Sequence, residues 1–573
     1  MPSGNDFCIA NRNGTEYATI FVNMTIRDFL DASVERYADR PAQRFYQGGQ
    51  WVTRPYRALK DRVIRIAAVL RDLGLRPGED NAAIMLANCP EWEEIYLALA
   101  CVGITAVPMD ARLKTREVVH ILRDSQARII FAGPAFAEML GLISGELPNL
   151  QTCIFIGSPE ILPEASGNCE VKSFEALVEA SPLNDSAKAW FEEHKPENDS
   201  VASILYTSGT TGAPKGAMLT HRNFEANADF AKNIIPFDKD DDFLVVLPLF
   251  HAYAFMFGFL TPVYVGGCSS FVRSLKTISE DMRILKPTTI LAVPLLAEKM
   301  YAKIEAGIKA NPIARFLMAI GLGKIVGKKV AAVFGGRLKV MAIGGAPTDK
   351  RVLKAFAKLG VPAIEGYGLT ECGPLVSFSP SGQYVIGTVG KVLPCMEYKV
   401  VNEDKTGAGE LYVRGPNVMK GYFRNEKATA NAFDNDGFFK TGDIVRVDWE
   451  GNVSICGRGK AMIVNREGKN IYPEEIEDVV GRAPCVSASI AIGYRVEGEV
   501  GEHVGLIVVP DEDWCKANNY DAGAVKSAIQ KLCSEQLAEY KVPRKIIVRP
   551  EPFELTSTMK VKRVKYEGTL DEK

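Results

Sequence analysis

The segment 206–216, YTSGTTGAPKG, packs three glycines, five hydroxyl-bearing side chains and one lysine into eleven residues, directly after an apolar run. Gly209, Gly212 and Gly216 leave backbone amides free to point at phosphate oxygens. Thr207, Ser208, Thr210 and Thr211 add hydroxyl donors, and Lys215 adds a positive charge. The chemistry such a set can do is the holding of nucleotide phosphates. It is not a Walker loop, since the spacing differs and Gly216 stands where a Mg-binding Ser or Thr would follow the lysine. A flexible surface turn is the bland alternative, and the density of donors argues against it. Other candidates are weak when taken singly. Asp443 in TGD sits in an ordinary Gly-Asp turn, Lys560 lies in a tail rich in Lys and Arg, and a lone His251 in an apolar run reads as a packed core residue.

The elements that must position these groups show a βα rhythm. IRIAAVLRDLGL (64–75) precedes NAAIMLA (81–87), and WEEIYLALACVGI (92–104) precedes ARIIFAG (127–133). The alternation of helix-period segments with short apolar runs predicts mostly parallel sheet. It recurs at VASILY (201–206), FLVVLPL (243–249), TTILAVP (288–294), LKVMAIGG (338–345) and VPAIEGYG (361–368), enough for two sheets in one large domain. Gly-punctuated alternation from about Gly387 to Gly421 predicts a small antiparallel barrel. After Gly457 a compact α+β block follows, with a helix begun by Pro473, strands at 486–492 and 503–509, a helix near 522–539 and a strand at 545–549. The expected fold class is therefore α/β: a large N-terminal domain of two βα sheets plus a small β-barrel (1–456), then a small, mobile α+β C-terminal domain with the hinge (457–573).

Bulk properties agree with a multidomain chain. The 573 residues are 47% hydrophobic, enough for more than one core. Acidic and basic residues nearly cancel, 70 against 68, so nucleic acid is not an expected partner. Twelve scattered cysteines, without a CxxC pair, read as core thiols in a reducing compartment. The N-terminus lacks the features of a secretory signal, and a cytoplasmic location is expected. Phe243–Val272 carries no formal charge and is long enough to span a bilayer. Pro248, Pro262, Gly266, Gly267 and His251 interrupt it, so it reads as a strand at 243–247, a loop, a helix near 253–263 and a strand from 268.

The 206–216 string resembles the phosphate loop of the adenylate-forming superfamily, which includes acyl- and aryl-CoA synthetases, peptide-synthetase adenylation domains and luciferase. The resemblance continues in order to the end of the chain. EGYGLTE (365–371) resembles the adenine- and Mg-binding motif. It implies that Glu365, Gly366, Tyr367 and Gly368 lie around the base, that Thr370 contacts the α-phosphate, and that Glu371 ligates Mg²⁺, with Thr207 as a further metal ligand. GGAP (344–347), with Gly345, Ala346 and Pro347, resembles the strand end on the other side of the adenine. FKTGD (439–443) implies that Asp443 accepts from the ribose hydroxyls. GRGKAMIV (457–464) resembles the domain junction, with Arg458 near ribose and Lys460 at the hinge. TSTMKVKR (556–563) resembles the loop whose catalytic lysine is here Lys560, with Met559 in place of the usual Gly. His251 falls where members place an aromatic or His beside the acyl carboxylate. Many aryl-CoA synthetases carry a second lysine where Val464 stands, whereas GKNIYPEEIE and VPLLAEKMYAKI (293–304) are similar to long-chain acyl-CoA synthetases.

The resemblance implies ATP-dependent activation of a carboxylic acid, a medium- or long-chain fatty acid, to an acyl-adenylate and then to acyl-CoA. ATP, Mg²⁺ and CoA are the implied cofactor and co-substrates, and AMP and pyrophosphate the products. An aryl-acid–CoA ligase, an acyl carrier protein ligase and a catalytically silent nucleotide- or lipid-binding protein are the alternatives. Residues 299–337 add a basic amphipathic stretch in which Lys299, Lys303, Lys309, Arg315, Lys324, Lys328, Lys329 and Arg337 face only Glu305. A solvated helix is the common explanation for such a segment, and peripheral contact with a membrane surface the other.

Overall fold

Short apolar runs separated by helices cannot bury their edges locally, so they pair in parallel with runs distant in sequence. The computed structural model describes residues 23–157, 169–207, 214–379, 382–465, 469–497, 499, 501–555 and 561–571. The chain divides into two compact units, Met1–Glu397 with Val413–Phe439, and Tyr398–Tyr412 with Lys440–Lys573.

The first unit holds two large sheets. One has nine strands, in the order Lys391–Val392, Leu375–Phe378, Ala363–Gly368, Val340–Ile343, Thr289–Ala292, Asp242–Val245, Cys268–Phe271, Pro41–Gln47 and Gln50–Pro55. The other has eight, in the order Gly421–Tyr422, Lys215–Thr220, Val201–Thr207, Thr105–Pro108, Asn81–Met85, Ile129–Ala132, Thr152–Phe155 and Glu170–Ser173. Their centres are parallel, as the βα rhythm requires. Each turns antiparallel where a chemical motif lies. Val201–Thr207 forms a hairpin with Lys215–Thr220, and Ala363–Gly368 pairs antiparallel with Leu375–Phe378.

The uncharged stretch 243–272 is interior. After the strand Asp242–Val245 it is helical from Ala252 to Val265, with a π turn at Met256–Leu260, and it ends in the strand Cys268–Phe271. Phe255 and Phe259 pack edge-on against Trp92 and Tyr96 of the buried helix Pro90–Cys101. No helix among the described residues is long and apolar enough to cross a membrane. Every described cysteine is free, and all but Cys89 are buried.

A four-stranded sheet, Glu397–Val401, Gly409–Arg414, Phe439–Val447 and Val453–Arg458, gives most of its residues to the second unit. That unit continues as the strands Val486–Tyr494, His503–Pro510 and Lys545–Val548, with the helices Pro473–Val480 and Ala522–Gln536. Ile476, Val480, Leu506, Val508, Val525 and Ile529 form its own buried core.

Candidate functional site

The candidate groups of the first unit gather at the carboxyl ends of parallel strands, where open α/β sheets bind ligands. Thr207 ends one strand of the phosphate hairpin and faces Lys215, which begins the other. Ser208, Gly209, Thr210, Thr211 and Gly212 lie outside the described residues. The strands on either side of them are fixed in register, Thr207 opposite Lys215. Gly216 is obligatory there, because a Cβ would stand 2.5 Å from Ile204 Cγ2 and 3.1 Å from the Tyr206 ring.

Lys215 and Glu371 are brought together through a residue that sequence reading missed. The Lys215 ammonium lies 5.2 Å from the centre of the Tyr422 ring. The Tyr422 hydroxyl donates to Glu371 Oε1 at 3.0 Å. Tyr422 reaches this place because Gly421–Tyr422 adds an edge strand to Lys215–Thr220, and the Met419 amide donates to the Glu371 carbonyl at 2.8 Å. Burial first, and then the neighbouring Glu371, raise the Tyr422 phenol far above its ordinary value, so it remains a donor. Half-buried Glu371 sits in the 3₁₀ turn Thr370–Cys372 together with Thr370. No group of three or more His, Cys, Asp or Glu among the described residues could hold a metal. An ion on Glu371 would therefore complete its shell with phosphate oxygens and water, the ordinary habit of Mg²⁺, and the single carboxylate fits that use.

The turn bearing Glu371 is braced from below. Buried Asn227 donates from Nδ2 to the Cys372 carbonyl at 3.1 Å and accepts from the Leu375 amide at 3.0 Å. Gly366 and Gly368 let the two antiparallel strands close, since a Cβ on Gly368 would lie 2.0 Å from the Pro374 carbonyl oxygen. Tyr367 stands between them, half-buried. Glu365 is buried, and its carboxylate accepts from the Thr348 amide at 2.9 Å and the Tyr384 hydroxyl at 2.6 Å. Burial pushes this carboxyl above the ordinary range, while those two hydrogen bonds hold it down. Glu365 thus ties the exposed turn Gly345, Ala346 and Pro347 to the strand Ala363–Gly368. Gly345 occupies the left-handed region, at φ +92°.

His251 caps the helix that follows it, its Nδ1 accepting from the Tyr253 amide at 3.3 Å. Tyr253 in turn donates to the Ala342 carbonyl at 2.8 Å, and its ring lies 3.5 Å from where a Gly344 Cβ would stand. The His251 segment and the GGAP turn are therefore joined by one tyrosine.

In the second unit Asp443 faces Arg458 across an antiparallel pair, with Arg458 Nε 2.7 Å from Asp443 Oδ1. The aspartate is buried and the arginine exposed. Exposed Lys460 follows in the 3₁₀ turn Gly459–Ala461. Lys560 lies outside the described residues, but the described residues before and after it are secured. Leu555 bridges Val561, Glu554 Oε1 accepts from Lys562 at 2.7 Å, and Arg563 donates to Glu477 at 2.6 Å and to the Ala491 carbonyl at 2.9 Å.

Comparison with known proteins agrees with this architecture. The family model described as AMP-binding enzyme matches residues 30–423. The long-chain-fatty-acid–CoA ligase of Escherichia coli O157:H7 is 33% identical over 549 residues, covering 91% of each chain. FadD15, a long-chain-fatty-acid–CoA ligase of Mycobacterium bovis, is 32% identical over 555 residues, covering 87% of this chain and 88% of its own. Among solved structures, the anthranilate CoA ligase AuaEII in complex with anthranoyl-AMP superimposes with a TM-score of 0.77 at 22% identity, covering 95% of this chain and 97% of its own. The chain belongs to the AMP-binding enzyme family, within the adenylate-forming superfamily, and resembles the long-chain fatty acid–CoA ligases of that group.

Proposed function

We propose that this protein is an AMP-forming acid–CoA ligase that activates a medium- or long-chain fatty acid with ATP, first to the acyl-adenylate and then to the CoA thioester. The observation that carries the reading is the meeting of Lys215, Tyr422 and Glu371 at the end of the phosphate hairpin, in a chain of this family. The fatty acyl preference is supported by the relatives from E. coli and M. bovis, both long-chain-fatty-acid–CoA ligases.

A carboxylate cannot release oxide to a thiol, so it must first become a mixed anhydride. The carboxylate oxygen attacks the α-phosphorus and pyrophosphate leaves, gathering negative charge that positioned cations and donors stabilise. In the proposal the hairpin loop and Lys215 hold the β,γ-phosphates, and Thr370 and Lys560 serve the α-phosphate. Glu371, oriented by Tyr422 and aided by Thr207, would hold Mg²⁺, which when bound neutralises phosphate charge. Asp443 and Arg458 hold the ribose, while Gly345, Ala346, Pro347 and the strand Glu365–Gly368 flank the base. His251 lies beside the acyl carboxylate. The CoA thiol then attacks the acyl carbonyl and AMP leaves, with Lys460 in the hinge between the proposed functional divisions 1–456 and 457–573.

The test is pyrophosphate release from ATP with acids of increasing chain length and with benzoates, each with and without CoA. Pyrophosphate and AMP appearing together, strongest with medium or long chains, is the expected result. Preference for an aryl acid would move the substrate assignment, and ADP as product, or no cleavage, would end the reading.

A further inference from the structure

The basic stretch near residue 310 folds as the helices Pro294–Ala310, Pro312–Ala319 and Gly323–Val333. Helix Pro312–Ala319 is apolar on two sides. Ala314, Leu317 and Met318 pack on the core formed with Val326, Val330 and Phe356. Ile313 and Phe316, on the other side, are 71% and 62% exposed, followed by Ile320 at 52%. Leu322 and Ile325 extend the exposed apolar surface into the next helix. Single exposed leucines are commonplace, but a contiguous set of this kind marks an interaction site.

The next helix fixes the charge around that set. Gly323 and Gly327 lie against helix Lys350–Leu359, so closely that a Cβ on Gly327 would stand 1.8 Å from the Leu359 carbonyl oxygen. The opposite side of the helix therefore faces outward, carrying exposed Lys324, Lys328 and Lys329. No Asp or Glu occurs between Glu305 and Asp349. Lys309 pairs with Glu305, and among the described residues no carboxylate pairs with Arg315, Lys324, Lys328 or Lys329.

We propose that this face docks the enzyme on an anionic lipid bilayer, with Ile313, Phe316 and Ile320 entering the headgroup boundary and the unpaired cations meeting lipid phosphates. An apolar centre with a cationic border is the pattern of interfacial helices, and anionic lipid supplies the complementary charge. A second copy across a two-fold axis would set the same cations against one another, which the charge pattern opposes. The inference stands on this surface alone and does not depend on which acid is activated.

Flotation of the full chain with vesicles of phosphatidylcholine, alone or mixed with phosphatidylglycerol, tests it without any substrate. The protein should float with the anionic vesicles and be released by high salt. Ile313→Ser, Phe316→Ser and Ile320→Ser combined should lower partition at least about tenfold. Lys324→Glu, Lys328→Glu and Lys329→Glu combined should lower it by about a hundredfold or more on anionic vesicles only. Both variants should keep the parent thermal midpoint and pyrophosphate release with a soluble acid. Failure of the parent to float with anionic vesicles overturns the proposal, as does flotation of both variants equal to that of the parent. A concentration-dependent dimer that the serine variant abolishes, without vesicle binding, would assign the face to a second copy instead.

Discussion

Glu371 is a half-buried carboxylate whose direction is set by a phenol from another part of the chain. Tyr422 cannot ionise near neutrality because burial and Glu371 itself oppose it, so its hydroxyl remains committed to the carboxylate. Loss of that bond should let Glu371 rotate within its turn. We expect Tyr422→Phe to reduce adenylation about tenfold, the cost of one hydrogen bond to a charged acceptor. The signature of a positioning role is a rise in the Mg²⁺ concentration needed for half-maximal pyrophosphate release, with the thermal midpoint little changed. An unaltered Mg²⁺ dependence would reduce Tyr422 to a packing residue. That Lys215 and Glu371 are candidates could be read from the sequence, because their side-chain types and motifs suit phosphate and metal chemistry, and the structure brings them together through Tyr422. Tyr422 was not, since an isolated tyrosine after a Gly carries no such sign. Its role arises only from the edge pairing of Gly421–Tyr422 with Lys215–Thr220.

At the scale of elements, the helix His221–Ile234 braces the Glu371 turn through Asn227, and through Asn223 it holds the carbonyls of Pro416 and Val418 in the segment that leads to Tyr422. Its first residue, His221, is fully buried, accepts the Ile26 amide on Nδ1 at 3.2 Å, and has no partner on Nε2 among the described residues. Burial depresses its pKa to about 3. The unfolded chain therefore binds a proton that the folded chain refuses, and stability falls as pH drops below about 6.5 and continues to fall toward the folded value. Between pH 7.5 and 5.5 this one residue should cost about 1.4 kcal/mol. His221→Asn, which can keep an acceptor near Nδ1, should remove that increment, as denaturant titrations at the two pH values would reveal; parallel pH slopes in both proteins would count against it. The parallel strands Asn81–Met85, Ile129–Ala132, Asp242–Val245, Thr289–Ala292 and Val340–Ile343 were readable because each is a short apolar run, whereas Glu170–Ser173 carries no apolar signal. Pro41–Gln47 and Gln50–Pro55 were not, because QWVTRP is only partly buried and its partner is paired with Cys268–Phe271, more than two hundred positions away. The hairpin strand Lys215–Thr220 was hidden in the same way, its lysine and glycine reading as loop.

For the whole molecule, the proposed chemistry draws on both compact units. Lys215, Thr370 and Glu371 belong to the first, and Asp443, Arg458, Lys460 and Lys560 to the second, whose own buried core marks it as an independent packing unit. In the proposed mechanism the two half-reactions make opposing demands on Lys560. Its charge would serve the α-phosphate during adenylation, yet the CoA thiol would have to reach the acyl carbonyl afterwards, so the lysine would have to leave. A turn at Lys460, preceded by Arg458 on Asp443 and followed by the short strand Ile463–Val464, is the proposed place for the backbone change. Lys560→Ala should then lower acyl-adenylate formation by about a hundredfold to a thousandfold, while supplied acyl-adenylate is still converted to thioester. Lys460→Pro, which restricts φ within the turn, should do the reverse: pyrophosphate release persists and thioester formation from supplied adenylate falls. The comparison uses each half-reaction as the other's control for folding. Equal loss of both steps in Lys560→Ala would remove the division of labour, and undiminished thioester formation in Lys460→Pro would remove the hinge.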